Sequence, residues 1–487
     1  MVYHYCLEAR MTITSLLINK NHDLQGLNQL RARVSGQVIT PKDDGYDTAR
    51  QAWNLTVNQY PAFIVVAQNA EDIVQAVRFA RDQGLEVAVK ATGHGVIREA
   101  NNSLLIVTSQ MTDVRVNLGT QTAWVGAGAK WGRVLEKAQS VGLAPLLGSS
   151  PDVGAVGYTL GGGMGWLARK YGLSTDNVNR FELVTAEGQK ISASATENVD
   201  LFWGLRGGGG NLGVVTGMEI RLYPVTTVYG GNLFYPLHKA KEVYSHYRRW
   251  IANAPDELTS SIVIMNFPPF PDVPEPLRGQ SFVIVRGCYC GPVEQGEELL
   301  KHWRAWQSPI IDDFKALPFS QVATISNDPL DPSLAHSSGT WLKDLSDETV
   351  DILIRYAAPH NGPSLFVFAE VRHAGGAISR VDPHSAAYGN RDALHILQTI
   401  SATPTPEVQA AVFHHISQLK RALTPHLHGG VYMNFLEGGE ARERTRQGFS
   451  PENYARLQEL KARYDPRNLF SHSYDIAPVA HKASLEP

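Results

Sequence analysis

Short apolar runs alternate with helical stripes through the first half of the chain. Phe63-Ile64-Val65-Val66 has the length and β-branched content of a buried strand. Asn69 follows as a candidate N-cap, with Asp72 three residues on. Ile73, Val74, Val77 and Ala80 then recur at helical spacing until Gly84. Val87-Ala88-Val89 reads as a second strand, so this stretch is predicted to be a β-α-β unit whose exit loop is a common place for a cofactor. Leu104-Leu105-Ile106-Val107 and Trp124-Val125 predict further strands, and a helix is expected from about Lys130. After Tyr223-Pro224-Val225 the texture changes to longer strands and amphipathic helices. Phe282-Val283-Ile284-Val285 and Leu365-Phe366-Val367-Phe368 predict sheet strands, while 243–251, 295–306 and 408–419 predict helices. Ser450-Pro451-Glu452 opens a last helix, with Tyr454, Leu457 and Leu460 as its apolar stripe. The expected division is 1–58 as a lead-in, 59–225 as an α/β domain, 226–440 as a sheet-based α+β domain, and 441–487 as a C-terminal segment.

Composition narrows the picture. At 487 residues the chain is too long for one compact domain, and 43% hydrophobic with 19% charged residues describes a globular protein. A net charge of -3 gives no general attraction to nucleic acid or to an anionic membrane. Cys6, Cys288 and Cys290 form no disulfide framework, which fits a reducing, cytoplasmic setting. Cys288 and Cys290 lie two apart in a strand-like run and are expected as buried thiols on one face. No stretch is long and apolar enough for a membrane helix, and the first seventeen residues, with Glu8 and Arg10 among them, do not read as a secretory signal. Met11 is an alternative start to Met1.

The candidate chemistry begins at Thr92-Gly93-His94-Gly95, just past the second predicted strand. A histidine with no side chain on either flank can meet a flat ligand closely, although alone it fits an ordinary strand-to-loop turn as well. Glycines then crowd the stretch from Gly148 to Gly165 and recur at Gly207 to Gly210 and Gly213, interleaved with Val153, Val156, Leu160, Trp166, Leu212 and Val214. Glycine set among core residues marks close backbone approach or tight turns. Gly126-x-Gly128-x-x-x-Gly132 is not a dinucleotide fingerprint, because its third glycine comes one place late and no acidic partner follows.

Four separated blocks, in order, resemble one family. They are Val89-Lys90-Ala91-Thr92-Gly93-His94-Gly95; Ser150-Pro151-Asp152-Val153-Gly154 running through Gly157, Gly161, Gly162, Gly163 and Gly165 to Arg169-Lys170-Tyr171-Gly172-Leu173 and Asp176-Asn177; Asp200-Leu201-Phe202-Trp203 through Arg206, Gly207, Gly208, Gly209, Gly210, Asn211 and Gly213 to Val214-Val215; and Tyr432-Met433-Asn434-Phe435 with Lys461, Tyr464-Asp465-Pro466 and Asn468-Leu469-Phe470. In these the chain is similar to the berberine bridge enzyme-like branch of the vanillyl-alcohol oxidase / p-cresol methylhydroxylase superfamily of flavoproteins. The resemblance implies an α+β fold: a two-part α/β FAD-binding domain of the p-cresol methylhydroxylase type, a sheet-based substrate domain, and a C-terminal return to the FAD domain.

It also implies roles. FAD is expected against Lys90, Ala91, Thr92, Gly93, His94, Gly95, Ser150, Val153, Gly154, Gly157, Gly161, Gly162, Gly165, Val215 and Asn434, with Tyr432 as catalytic base. The family's histidine bonds to the flavin 8α-carbon. Many members add a cysteine bond at the place of Ser150, and a hydroxyl is a far poorer nucleophile than a thiol, so one attachment, through His94, is expected. Val153 matches the family position that gates oxygen, and its small size resembles oxidases. Met164 stands where an aromatic is common, and Ser473-Tyr474-Asp475-Ile476 where the family has Asn-x-Asn-Ile. His373 resembles a substrate-domain motif and is a candidate pocket residue. His360 and the pair His414-His415 lack metal-ligand spacing, and no metal is expected. The implied activity is oxidation of an alcohol group on a small molecule (a sugar, oligosaccharide or secondary metabolite) by hydride transfer to flavin, with molecular oxygen giving hydrogen peroxide. A same-fold dehydrogenase, or a flavin-binding protein without turnover, remains an alternative.

Overall fold

The computed structural model describes residues 24–360 and 362–479. The readings made on Cys6, on the first seventeen residues and on Met11 lie outside the described residues.

Three sheets carry the architecture. The first holds β1 (Gln37–Ile39), β2 (Phe63–Val66), β3 (Val87–Lys90) and β4 (Leu104–Val107) in the order β1-β2-β4-β3. β2 and β4 are buried along their whole length, as continuous apolar strands in a parallel sheet are. The β-α-β unit forms as the periodicity predicts, except that β2 and β3 are not neighbours: each runs parallel to β4, which enters between them. Its helix, Ala70–Gln83, starts where the Asn69 side chain accepts from the backbone N–H of Glu71 and Asp72 and stops at Gly84, in the left-handed region at φ 65°. Asp72 has a further task, accepting from the N–H groups of Ser35, Gly36 and Gln68 to tie the entering chain to this helix.

The second sheet is antiparallel, β5 (Val114–Asn117), β6 (Thr122–Gly126), β7 (Val178–Val184), β8 (Lys190–Ser194) and β9 (Val214–Arg221), in the order β5-β6-β9-β7-β8. The glycine-dense segment lies between β6 and β7. The core on this sheet gathers Trp131, Leu160, Phe181, Leu201, Val215 and Met218 together with Val431, Met433, Leu457, Leu460, Tyr474 and Ile476, so the end of the chain packs back into its first half. Lys461 fixes that return. Its fully buried ammonium donates to Asp465 at 2.6 Å, to the Asn211 carbonyl at 2.9 Å and to the Phe470 carbonyl at 3.2 Å. A buried charge is tolerable when every proton finds an acceptor in this way.

The third sheet begins at Thr227. It comprises β10 (Thr227–Pro236), β11 (Leu258–Asn266), β12 (Ser281–Tyr289), β13 (Ile311–Asp312), β14 (Lys315–Pro318), β15 (Ala335–Leu342), β16 (Phe368–His373) and β17 (His395–Ala402), all antiparallel. Helices Ala240–Ile251, Val293–Trp306, Asp347–Ala357 and Pro406–Leu423 supply one core with its apolar residues. The predicted strand at 365–368 is a correction: β16 starts only at Phe368, although Val367 already bonds to Ile400 and Asn266 on either side and Phe366 packs in the helix-side core. Cys288 lies in β12 and Cys290 just past it, both buried, and burial pushes both thiols above their ordinary value. Among the described residues, no helix is long and apolar enough to cross a membrane.

Candidate active site

The loop leaving β3 carries His94. Gly93 before it has φ 83°, and a Cβ there would lie 2.7 Å from the Ala52 Cα, so only glycine lets the two loops touch. The backbone N–H groups of Trp53 and Asn54 donate to the carbonyls of Thr92 and Gly93. Trp53 stacks on the imidazole, with ring centroids 4.2 Å apart and planes 20° from parallel. Lys90, at the base of the loop, is buried and donates to the carbonyls of Ala49 and Gln51. Burial pulls its ammonium down to about 8. His94 Nε2 lies 3.3 Å from Asp152 Oδ2, and Asp152 in turn pairs with Lys130. Burial is the largest influence on the imidazole and lowers its pKa, while Asp152 opposes that shift. The result is a neutral ring whose Nε2 faces a carboxylate and whose Nδ1 makes no hydrogen bond among the described residues.

Ser150, Asp152 and Val153 form the turn that meets this loop. The Ser150 hydroxyl oxygen is buried and accepts from the Asp152 N–H at 3.3 Å. Val153 packs partly buried against the second-sheet core. A Cβ on Gly154 would touch Ala91 Cβ at 3.3 Å and Thr92 Oγ1 at 3.7 Å, so the first two sequence blocks converge here. The other glycines separate into two kinds. Gly95 and Gly157 face open space, where a Cβ would meet nothing within 4 Å. Gly161, Gly162 and Gly165 are instead demanded by the protein's own packing: a Cβ would lie 1.9 Å from Asn434 Oδ1, 2.7 Å from the Tyr388 ring and 1.8 Å from the Leu147 carbonyl, respectively. Val215 is a buried core residue of β9, opposite Leu183 in β7.

Tyr432 is fully enclosed, 1% exposed, and heads the short 3-10 turn Met433–Phe435. Its phenol oxygen accepts from the backbone N–H of Gly163 at 3.0 Å, the backbone N–H of Met164 at 2.9 Å and the Asn434 amide at 3.1 Å. The same amide donates to the Tyr158 carbonyl at 2.9 Å. Three donors on one phenol oxygen favour its anion. Burial is the larger influence and holds the phenol above its ordinary value; the three donors and the Arg372 guanidinium pull it down. Tyr388 stands edge-on to Tyr432 with centroids 6.1 Å apart, and the hydroxyls of Tyr388 and Tyr158 are buried without hydrogen-bond partners among the described residues.

These loops match known proteins. Residues 61–194 match the family described as an FAD binding domain, and 431–476 the family described as berberine and berberine like. The uncharacterized FAD-linked oxidoreductase YgaK of Bacillus subtilis is 30% identical over 461 residues, spanning 92% of this chain and 98% of its own. The chain is a berberine bridge enzyme-like FAD-linked oxidoreductase. Two further similarities frame this oxidoreductase. The (R)-6-hydroxynicotine oxidase of Paenarthrobacter nicotinovorans is 28% identical over 474 residues, covering 91% of this chain and 97% of its own. The carbohydrate oxidase of Microdochium nivale is 27% identical over 481 residues, covering 90% and 92%, and its crystal structure superposes with a TM-score of 0.80 over 93% of this chain and the whole of that one.

Sequence reading alone did not single out Trp53, Lys130, Tyr388 or Arg372 in this oxidoreductase. Asp152 lies within a recognised block, whereas Lys130, 22 positions earlier with the helix Trp131–Gln139 between them, leaves no local hint of the pairing. Trp53 and Tyr388 reach the site from distant segments and leave no local pattern. His373, expected as a candidate pocket residue, is buried with Nε2 3.2 Å from an Arg169 guanidinium nitrogen, and its ring lies parallel to that of His395. Burial, helped by Arg169, holds it strongly neutral, at about 2. Of the remaining histidines, His415 bonds to the Tyr356 carbonyl and His414 to Gln418.

Proposed function

We propose that this oxidoreductase holds FAD by one bond to His94 and oxidises an alcohol carbon of a sugar, oligosaccharide or hydroxylated secondary metabolite, with Tyr432 as base and oxygen as acceptor, yielding hydrogen peroxide. The observation that carries the proposal is the cradle of three N–H donors on the Tyr432 phenol oxygen, which suits an oxygen that must bear negative charge.

The residues present fit the cofactor. His94 offers a neutral imidazole, and a carboxylate at Nε2 fixes the tautomer that leaves a lone pair on Nδ1. Gly95 and Gly157 have no packing reason of their own to be glycine, which suits close approach by a ligand. Ser150 gives no thiol for a second attachment. Bound FAD supplies the hydride acceptor and passes the two electrons to oxygen. The chain's own work is positional and protonic. Lys90 braces the His94 loop, Asn434 holds the Tyr432 oxygen, and the Tyr432 side chain, in its phenolate form, takes the proton of the substrate hydroxyl and becomes the neutral phenol as the carbon becomes a carbonyl. The modest bulk of Val153 beside this turn favours oxygen access.

A hydroxyl-rich substrate agrees with the name of the carbohydrate oxidase. A panel of sugars, oligosaccharides and hydroxylated metabolites, read by bleaching of the flavin without oxygen, tests the reading. Bleaching by an alcohol in wild type and not in Tyr432→Phe supports it; equal bleaching in both removes Tyr432. Reoxidation in air within seconds marks an oxidase, and reoxidation over minutes marks a dehydrogenase.

A further inference from the structure

The sheet face opposite the helices carries a continuous polar chain. Arg286 Nε donates to Asn232 Oδ1 at 3.2 Å, and a terminal nitrogen of Arg286 lies 3.5 Å from Glu370 Oε1. The Ser261 hydroxyl donates to the same oxygen at 2.7 Å. Arg372 Nε donates to Glu370 Oε2 at 2.7 Å, and its guanidinium continues to Gln398 at 3.4 Å. Gln398 donates to the Ser337 hydroxyl oxygen at 3.2 Å, and that hydroxyl donates to the Phe435 carbonyl at 2.9 Å, inside the turn that Tyr432 heads. The register explains the alignment. Glu370 faces Val263 and Gln398 across the ladder, Arg372 faces Ser261 and Ile396, and residues two apart share a face.

We propose that Arg372 is the positioning cation that makes the Tyr432 phenol usable as a base. The inference rests on the reading of Tyr432 as that base. Two observations carry it. The first is placement: the Arg372 guanidinium lies over the Phe435 ring, 5.0 Å from its centroid, and that ring stands edge-on to Tyr432 with centroids 4.8 Å apart. The second is charge. Glu370 alone would neutralise Arg372, but the same buried carboxylate is shared with Arg286, so its charge is divided between two guanidinium groups and does not fully offset that of Arg372. Arg286 and Glu370 are 7% and 1% exposed, whereas Arg372 keeps 20% of its side chain exposed.

The other titratable groups around Tyr432 are Tyr158 from helix Ala155–Leu160, Tyr388 from the segment before β17, and Tyr474 from the C-terminal return, each held neutral by burial. Arg391, over the Tyr388 ring, is already paired with Asp176 at 2.6 Å. Asp328 acts on Arg372 from the loop before β15. Arg372 is the charged group that lowers the phenol directly, alongside its three N–H donors.

The test compares wild type, Arg372→Met, Arg372→Lys and Tyr432→Phe as flavin-loaded proteins of equal flavin content. Two readouts serve: the pH profile of anaerobic flavin reduction by an alcohol from the panel, and the ultraviolet tyrosinate titration without substrate, taken as the difference from Tyr432→Phe. Arg372→Met is expected to move the Tyr432 ionisation upward by about one pH unit or more, the scale of losing a neighbouring opposite charge. Arg372→Lys is expected to recover at least half of that movement. An unmoved ionisation in Arg372→Met, or in Arg372→Lys an upward shift as large as that of Met, would overturn the proposal. Should Arg372→Met fail to load flavin, Glu370→Gln decides: removing the counter-charge is expected to move the ionisation downward, and an upward shift or none overturns the proposal. If the basic limb persists in Tyr432→Phe, the base assignment itself falls; if it vanishes there but stays fixed in the Arg372 variants, only the role of Arg372 falls.

Discussion

The loop of His94 and the turn of Tyr432 are built on opposite plans. His94 keeps 17% of its side chain exposed, is stacked on Trp53, and has one ring nitrogen facing a carboxylate and the other without a hydrogen bond among the described residues. Tyr432 is sealed, and three donors converge on its one polar atom. The glycines follow the same division, since Gly95 meets open space while Gly161 has Asn434 pressed against it. A nucleophile needs a free lone pair and room for what it attacks. A base must have the charge of its working form stabilised in advance, at the cost of enclosure. The difference teaches which mutations should change the chemistry and which should change attachment.

The largest expected effect separates the two most sharply. Tyr432→Phe is expected to slow flavin reduction roughly a hundred- to ten-thousand-fold while leaving the flavin attached; steady-state turnover together with the colour retained after acid precipitation checks both halves. His94→Ala is expected to do the reverse for attachment, giving flavin that acid releases into the supernatant. Asp152→Asn sharpens the comparison, because it weakens the tautomer control without removing the nucleophile. Covalent incorporation is expected to slow but finish, followed as acid-stable flavin against time on adding FAD to apoprotein.

Two smaller effects probe the frame. Gly161→Ala would push Asn434 off the phenol and is expected to cost about 1–3 kcal/mol, typical of overpacking, measured by denaturant unfolding. Glu437, five residues past Tyr432, accepts from Asn54 and from the Ser337 N–H, and burial pushes its carboxyl from 4.5 up to about 8. The folded state therefore keeps a proton that the unfolded chain loses, and stability falls as pH rises between those values. Glu437→Gln is expected to flatten that fall by roughly 1–2 °C in Tm across the window.

Much of the fold was legible because its signals are local. The apolar runs of β2 and β4, the Asn69 cap and the Gly84 stop are each written within a few residues. The position of β4 between β2 and β3 was not, since strand order depends on the whole sheet. The chemistry divides the same way. His94 announces itself by its flanking glycines, and Tyr432 and Asn434 by their spacing within a recognised block. Arg372 carries no such mark. Its place follows from the β16 register and from Arg286, 86 positions earlier in the chain, sharing its carboxylate. Leu365-Phe366-Val367 has a strand's composition, yet regular pairing starts at Phe368, with Val367 making single hydrogen bonds to Ile400 and Asn266 on either side.

The most direct test is peptide mass mapping of the purified yellow protein after proteolysis. The account requires the mass of one FAD on the peptide containing His94 and none on the peptide containing Ser150. A flavin found wholly free, or bonded to any other residue, would contradict it.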